Sequence, residues 1–152
     1  MKLTVLYGTE TGNSRGLAQK VATKGEKLGV QVDVVDLSGY SVEQIAELDH
    51  PFVIIISTWD EGAPPPKCVP FCDALENSSL SLGGKQYTVL ALGDTEYEQF
   101  CACGKAVDQQ LAALGAVPVM PRTDLGADFM VSYIGWSKNF WKTMAGVYGI
   151  AK

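Results

Sequence analysis

Thr9, Thr11, Asn13 and Ser14, with Gly12 among them, stand where an apolar stretch, Leu3 to Tyr7, gives way to a helical pattern. Hydroxyls and small residues at such a junction suit an anion. The first turn of a helix offers unpaired N–H groups and the positive end of its dipole. Phosphate is the expected guest. Neither G-x-x-x-x-G-K-[ST] nor G-x-G-x-x-G occurs, so a magnesium triphosphate and a dinucleotide held by that fingerprint are not expected. A plainer alternative stays open, in which one hydroxyl simply caps the helix. Further along, Trp59 lies in "STWDEGAPPP" and Tyr97 in "GDTEYEQF". A large apolar ring in an acidic loop is poorly placed unless something covers it. Each aromatic alone can pack on its own loop; together they can clamp a flat ring. The combination points to a flat, phosphorylated cofactor.

Those three stretches need elements to bring them together. Residues 2–7 read as a strand, and 13–28 as a helix with Leu17, Val21 and Leu28 on one face, stopped by Gly29. Residues 30–35 alternate as a strand, and a short helix fits 42–48. The run 51–58 is continuously apolar and β-branched, as in strands covered on both faces. A helix fits 67–76, a strand 85–92 and a helix 104–114, ending at Gly115. Residues 93–104 read as a loop. A last strand, 117–120, is pushed to the sheet edge by Pro118. A helix over 128–147 carries Phe129, Tyr133, Trp136, Phe140 and Met144 down one side. Five alternations of strand and helix imply one α/β domain over 1–152. The expected architecture is a doubly wound five-stranded parallel sheet, order 2-1-3-4-5, with helices on both faces. Ligands of such sheets sit beyond the carboxyl ends of the strands at the switch point. There the loops 8–14, 58–66 and 93–103 should meet.

The totals narrow the class. The 152 residues carry 12 basic and 17 acidic side chains, a formal charge of −5, which argues against nucleic acid as a partner. The same charge permits a cationic protein partner. No apolar run approaches a bilayer span, and Met1-Lys2-Leu3 has no signal-peptide layout, so a cytoplasmic location is expected. Cysteines 68, 72, 101 and 103 are spaced C-x3-C and C-x-C, which is not a common zinc arrangement; they are expected to be thiols. Cys101 and Cys103 read as structural, because a dithiol redox pair would favour C-x-x-C. His50 reads as a surface residue.

Three motifs carry a resemblance that covers essentially the whole chain. "VLYGTETGNSRGLAQKV" resembles the flavodoxin phosphate loop, with Ser14 where threonine is usual. "STWDEGAPPP" resembles the second flavin loop. "ALGDTEYEQFCACGKAVDQQLAALGA" is similar to the third loop and its helix, above all in the FMN domains of diflavin reductases such as the sulfite reductase flavoprotein. The tail "ADFMVSYIGWSKNFW" is also like those domains. No long insertion interrupts the last strand, so the chain looks short-chain.

The resemblance implies non-covalently bound FMN. By position, Thr9, Glu10, Thr11, Gly12, Asn13 and Ser14 would hold the phosphate. Ser57, Thr58, Trp59, Asp60, Glu61 and Gly62 would line one side of the ring system, and Gly93, Asp94, Tyr97, Phe100 and Cys101 the other. Tyr97 would stack on the outer face and Trp59 shield the inner edge. The implied function is low-potential one-electron transfer by a monomer between redox proteins, with a flavin reductase as donor and a metalloenzyme or haem protein as acceptor. Acidic residues 60, 61, 94 and 96 would oppose a negative charge on the reduced ring. Asp60 stands where the family commonly has glycine, which implies a less ready peptide flip and weaker stabilisation of the semiquinone. An FMN-dependent NAD(P)H:quinone-type reductase is the alternative, disfavoured by a Tyr97 cover over the ring; an FMN domain of a diflavin reductase is another. A regulatory module that has lost its flavin is disfavoured by the intact phosphate loop.

Overall fold

The computed structural model describes residues 1–8, 12–58, 65–93, 101–126 and 128–149. In chain order the elements are β1 (Lys2–Gly8), α1 (Asn13–Lys27), β2 (Gln31–Asp36), α2 (Val42–Ala46), β3 (Phe52–Ser57), α3 (Val69–Glu76), β4 (Gln86–Leu92), α4 (Ala102–Ala113), β5 (Val117–Pro118), β6 (Thr123–Leu125) and α5 (Phe129–Tyr148). A 3-10 turn, Pro66–Cys68, leads into α3. All pairings are parallel, in the order β2-β1-β3-β4-β5, with β6 also on β4. This is the expected 2-1-3-4-5 sheet.

The strand alternation explains the continuous apolar runs. Phe52, Ile54 and Ile56 of β3 face one layer, with Leu6, Tyr87, Val89, Phe71, Leu75, Val107 and Leu111. Val53 and Ile55 face the other, with Leu3, Val5, Leu17, Val21, Leu90, Trp136, Phe140 and Met144. Helices α2, α3 and α4 cover the first face; α1 and α5 cover the second. A strand buried on both sides has no polar face to show, so period two is invisible in its sequence.

Several boundaries differ from the sequence reading. The edge strand expected over 117–120 is two short strands. Val117 and Pro118 pair with Gln86 and Tyr87, and Thr123, Asp124 and Leu125 pair with Leu90, Ala91 and Leu92. The ladder passes Pro118, with the Val117 and Val119 N–H groups donating to Lys85 and Tyr87 O, and stops at Pro121, which has no N–H to give; it resumes at Thr123. Helix α4 begins at Ala102, so the tail of the stretch read as loop is helical. Leu28 is 42% exposed, because it is the C-cap residue of α1 and the chain turns away at Gly29. His50 is not a plain surface residue: its ring is 11% exposed, with Nε2 2.7 Å from Thr4 Oγ1 and Nδ1 2.8 Å from Asp49 Oδ1.

Candidate functional site

The sheet brings the stems of the three singled-out loops to one rim. Helix α1 follows directly on the loop after β1, and its N-cap residue is Gly12, left-handed at φ 92°. Most residues lose about 1–2 kcal/mol in that conformation; glycine does not. Gly12 also carries no side chain to close the helix, and a Cβ built there meets nothing within 4 Å among the described residues. The first turn, with Asn13 and Ser14, thus starts just past Gly12 at the carboxyl end of β1.

Ser14 is fully buried, and its Oγ lies 2.8 Å from Ser57 Oγ at the end of β3. One hydroxyl of the pair donates, and the other keeps its proton for a further acceptor. Thr58 continues β3's approach to β4, its N–H donating to Leu92 O at 2.8 Å. Its Oγ1 accepts the N–H of Cys103 at 3.1 Å, in the first turn of α4. A side chain from the second loop thus caps the helix that follows the third. Gly93, at the end of β4, donates its N–H to Leu125 O at 3.0 Å.

Cys101, the N-cap residue of α4, is the only non-glycine residue with positive φ among the described residues, at φ 54°. Its side chain is fully buried, with Sγ 3.8 Å from the same Leu125 carbonyl. Burial, aided by the Asp124 carboxylate, pushes its thiol up to about 12, so it stays protonated. Arg122 grips Asp124 through Nε at 2.8 Å and Nη2 at 3.2 Å, and lies 3.6 Å from Asp108.

Of the residues expected at the site, Gly12, Asn13, Ser14, Ser57, Thr58, Gly93 and Cys101 all fall on this rim, and four of their side chains, Ser14, Ser57, Thr58 and Cys101, are tied into it. Thr9, Glu10, Thr11, Trp59, Asp60, Glu61, Gly62, Asp94, Tyr97 and Phe100 lie outside the described residues. Cys103 and Leu125 belong to the rim and were missed. Cys103 contributes a backbone N–H and Leu125 a carbonyl, so neither carries a side-chain signal that a sequence pattern can show.

The residues present fit a flavin phosphate: a helix N-terminus at a switch point, beside paired hydroxyls, is a donor set for an anion. Among the described residues no group of His, Cys, Asp and Glu is placed to hold a metal ion. None of the described helices is long and apolar enough to cross a membrane.

The flavodoxin family profile matches residues 5–131. The chain is 38% identical over 129 residues to the sulfite reductase [NADPH] flavoprotein alpha-component of Bacillus subtilis, a match covering 84% of the chain and 21% of that protein. It is 35% identical over 138 residues to the protein of the same description from Vibrio vulnificus, covering 90% of the chain and 22% of the relative. The chain thus spans about a fifth of the length of the curated relatives it matches. Among solved structures, the Streptococcus pneumonia TIGR4 flavodoxin superposes with a TM-score of 0.71 at 29% identity, covering 84% of this chain and 87% of that one. A short-chain flavodoxin associated with a PDU bacterial microcompartment gives 0.71 at 31% identity, covering 83% and 85%.

Proposed function

The chain belongs to the flavodoxin family, and from that premise we propose that it is a low-potential one-electron carrier that binds FMN non-covalently and passes electrons between redox proteins. One observation carries the reading: the N-terminus of α1, beginning after left-handed Gly12, lies on the same rim as the cross-tied stems of the second and third loops.

FMN, when bound, supplies the redox-active ring; the protein supplies place and surroundings. The N–H groups at Asn13 and Ser14 would hold its phosphate. The Ser14–Ser57 and Thr58–Cys103 ties fix the stems of the loops against one another. Cys101 offers a neutral thiol, not a nucleophile, at the pH where such carriers work. The net charge of −5 steers a basic partner surface, and its attraction weakens with salt. The expected partners are a flavin reductase as donor and a metalloenzyme or haem protein as acceptor, with the chain acting as a monomer in the cytoplasm.

A second reading is that the chain works as the FMN module of a diflavin reductase. The 38% identity to a sulfite reductase flavoprotein favours it. An NAD(P)H:quinone-type reductase finds no comparable support.

The test is FMN titration followed by anaerobic reduction in small steps. Quenched flavin fluorescence at micromolar or lower FMN, then two separate one-electron waves, is the expected result. A single two-electron wave would overturn the carrier reading. No FMN binding would overturn the flavin reading itself.

A further inference from the structure

The proposed electron transfer leaves the thiols unused, and two of them are placed for chemistry of their own. Cys72 on α3 and Cys103 on α4 line one cavity of about 220 Å³ between the two helices, with Leu75 and Val107 beside them and Asp73 and Glu76 also at its wall. Both are free. Cys103 is only 4% exposed, whereas Cys72 is half-buried and reaches the open side. The two thiols share the wall of that one cavity. The neighbouring Cys103 thiol holds Cys72 below the ordinary thiol range, against burial and the Asp73 carboxylate, which push upward. Cys72 in turn, with burial among the other thiols, pushes Cys103 up. Cys72 therefore ionises first and is the one a reagent reaches. Cys103 keeps its proton and is shielded.

We propose that Cys72 and Cys103 are a redox-active dithiol that closes to a disulfide joining α3 to α4, with Cys72 attacking and Cys103 resolving. The oxidant is a small-molecule disulfide of the glutathione class. The Cys72 thiolate attacks one of its sulfurs; the S–S bond breaks, and the released thiolate takes a proton from water. Cys103 then attacks Cys72 Sγ, its proton passing to the departing small thiolate, which leaves as the second thiol. Two protein thiols have lost two electrons, and one small disulfide has become two thiols. Flavin takes no part, so the pair works with or without FMN.

The position gives the link a consequence. Helix α3 follows the second loop and α4 the third, and the Cys103 N–H is already tied to Thr58. A disulfide here fastens together the two helices that lead away from those loops. No C-x-x-C marks the pair, because the fold, not the local spacing, brings the thiols together.

The test is to incubate the full chain with oxidised glutathione, read its intact mass, and map peptides without reduction, fragmenting them to separate Cys101 from Cys103 and Cys68 from Cys72. The expected wild-type product is lighter by two hydrogens, carries no glutathione, and joins Cys72 to Cys103. Cys103→Ser should stop at one glutathione adduct on Cys72, and Cys72→Ser should give neither adduct nor link. A wild-type chain that keeps glutathione on Cys72, stays unchanged in mass, or links through Cys68 or Cys101 overturns the proposal. So does a link that survives Cys72→Ser. The wild-type map needs no variant, so it decides the matter even where a substitution prevents folding.

Discussion

The α5-side layer and the carboxyl rim of the sheet are held by different forces. In the layer, Trp136 stacks on Phe140 at 4.8 Å, Phe140 meets Trp141 edge-on at 4.9 Å, and Tyr133 tilts against Trp136 at 5.6 Å. That packing is apolar, redundant and non-directional, and each ring has many neighbours. On the rim the closure is polar and sparse: Ser14 to Ser57, Thr58 to Cys103, and Leu125's carbonyl receiving Gly93 and Cys101. Each such bond is worth only about 1 kcal/mol net, yet it fixes a direction, which packing does not. The layer should therefore dominate stability, and the rim should dominate binding.

The sharpest way to break that division is Phe140→Ala. The ring is fully buried, so its loss should cost about 3–5 kcal/mol in urea denaturation. FMN affinity of the protein that remains folded should stay within about threefold of wild type, a change of under about 1 kcal/mol. An affinity loss as large as the stability loss would show that layer and rim are one unit. Next in size is Gly104→Ala. Its new Cβ would lie 2.3 Å from Ala91 Cβ, where α4 presses on β4, so helix or strand must move. Overpacking should cost about 1–3 kcal/mol. Because α4 carries Cys101 and Cys103, this variant should weaken FMN binding as well. Ala91→Gly in the same chain should restore both, as a double-mutant cycle would read out.

Thr58→Val keeps the shape and removes the acceptor for the Cys103 N–H. It should cost about 1 kcal/mol of stability but lower FMN affinity severalfold, as fluorescence titration would show. Equal losses in both would erase the contrast between the regions. The smallest effect at neutral pH belongs to Cys101. Its folded thiol is raised to about 12 from an ordinary 9.0, so the unfolded chain releases this proton first as pH climbs. Cys101 therefore leaves stability untouched below about 9 and lowers it progressively from there to about 12. Cys101→Ala should flatten that fall in part only, since burial also holds Tyr148 up at about 12. An unchanged slope would mean that the thiol titrates freely in the folded protein.

Much of this molecule was determined by sequence alone. The run 51–58 announced a strand covered on both faces because no polar residue interrupts it from Phe52 to Ile56. Strand–helix alternation with right-handed crossovers left few topologies, and the observed order is the one expected. The same topology names the rim, since the loops after β1, β3 and β4 must leave from one end. Only the tertiary structure decided how the rim closes. The cap on α4 comes from Thr58, far away in sequence, so helix α4 starts earlier than its own residues suggest. Backbone groups such as the Leu125 carbonyl are alike in every residue type and leave no trace in a pattern. Pro118 marked the last strand as an edge strand, but only pairing with β4 showed that it resumes beyond Pro121. The placing of Cys72 and Cys103 on one cavity wall is of the same kind. Local periodicity records which face a residue shows; long-range contact records which face it meets, and that is set by packing.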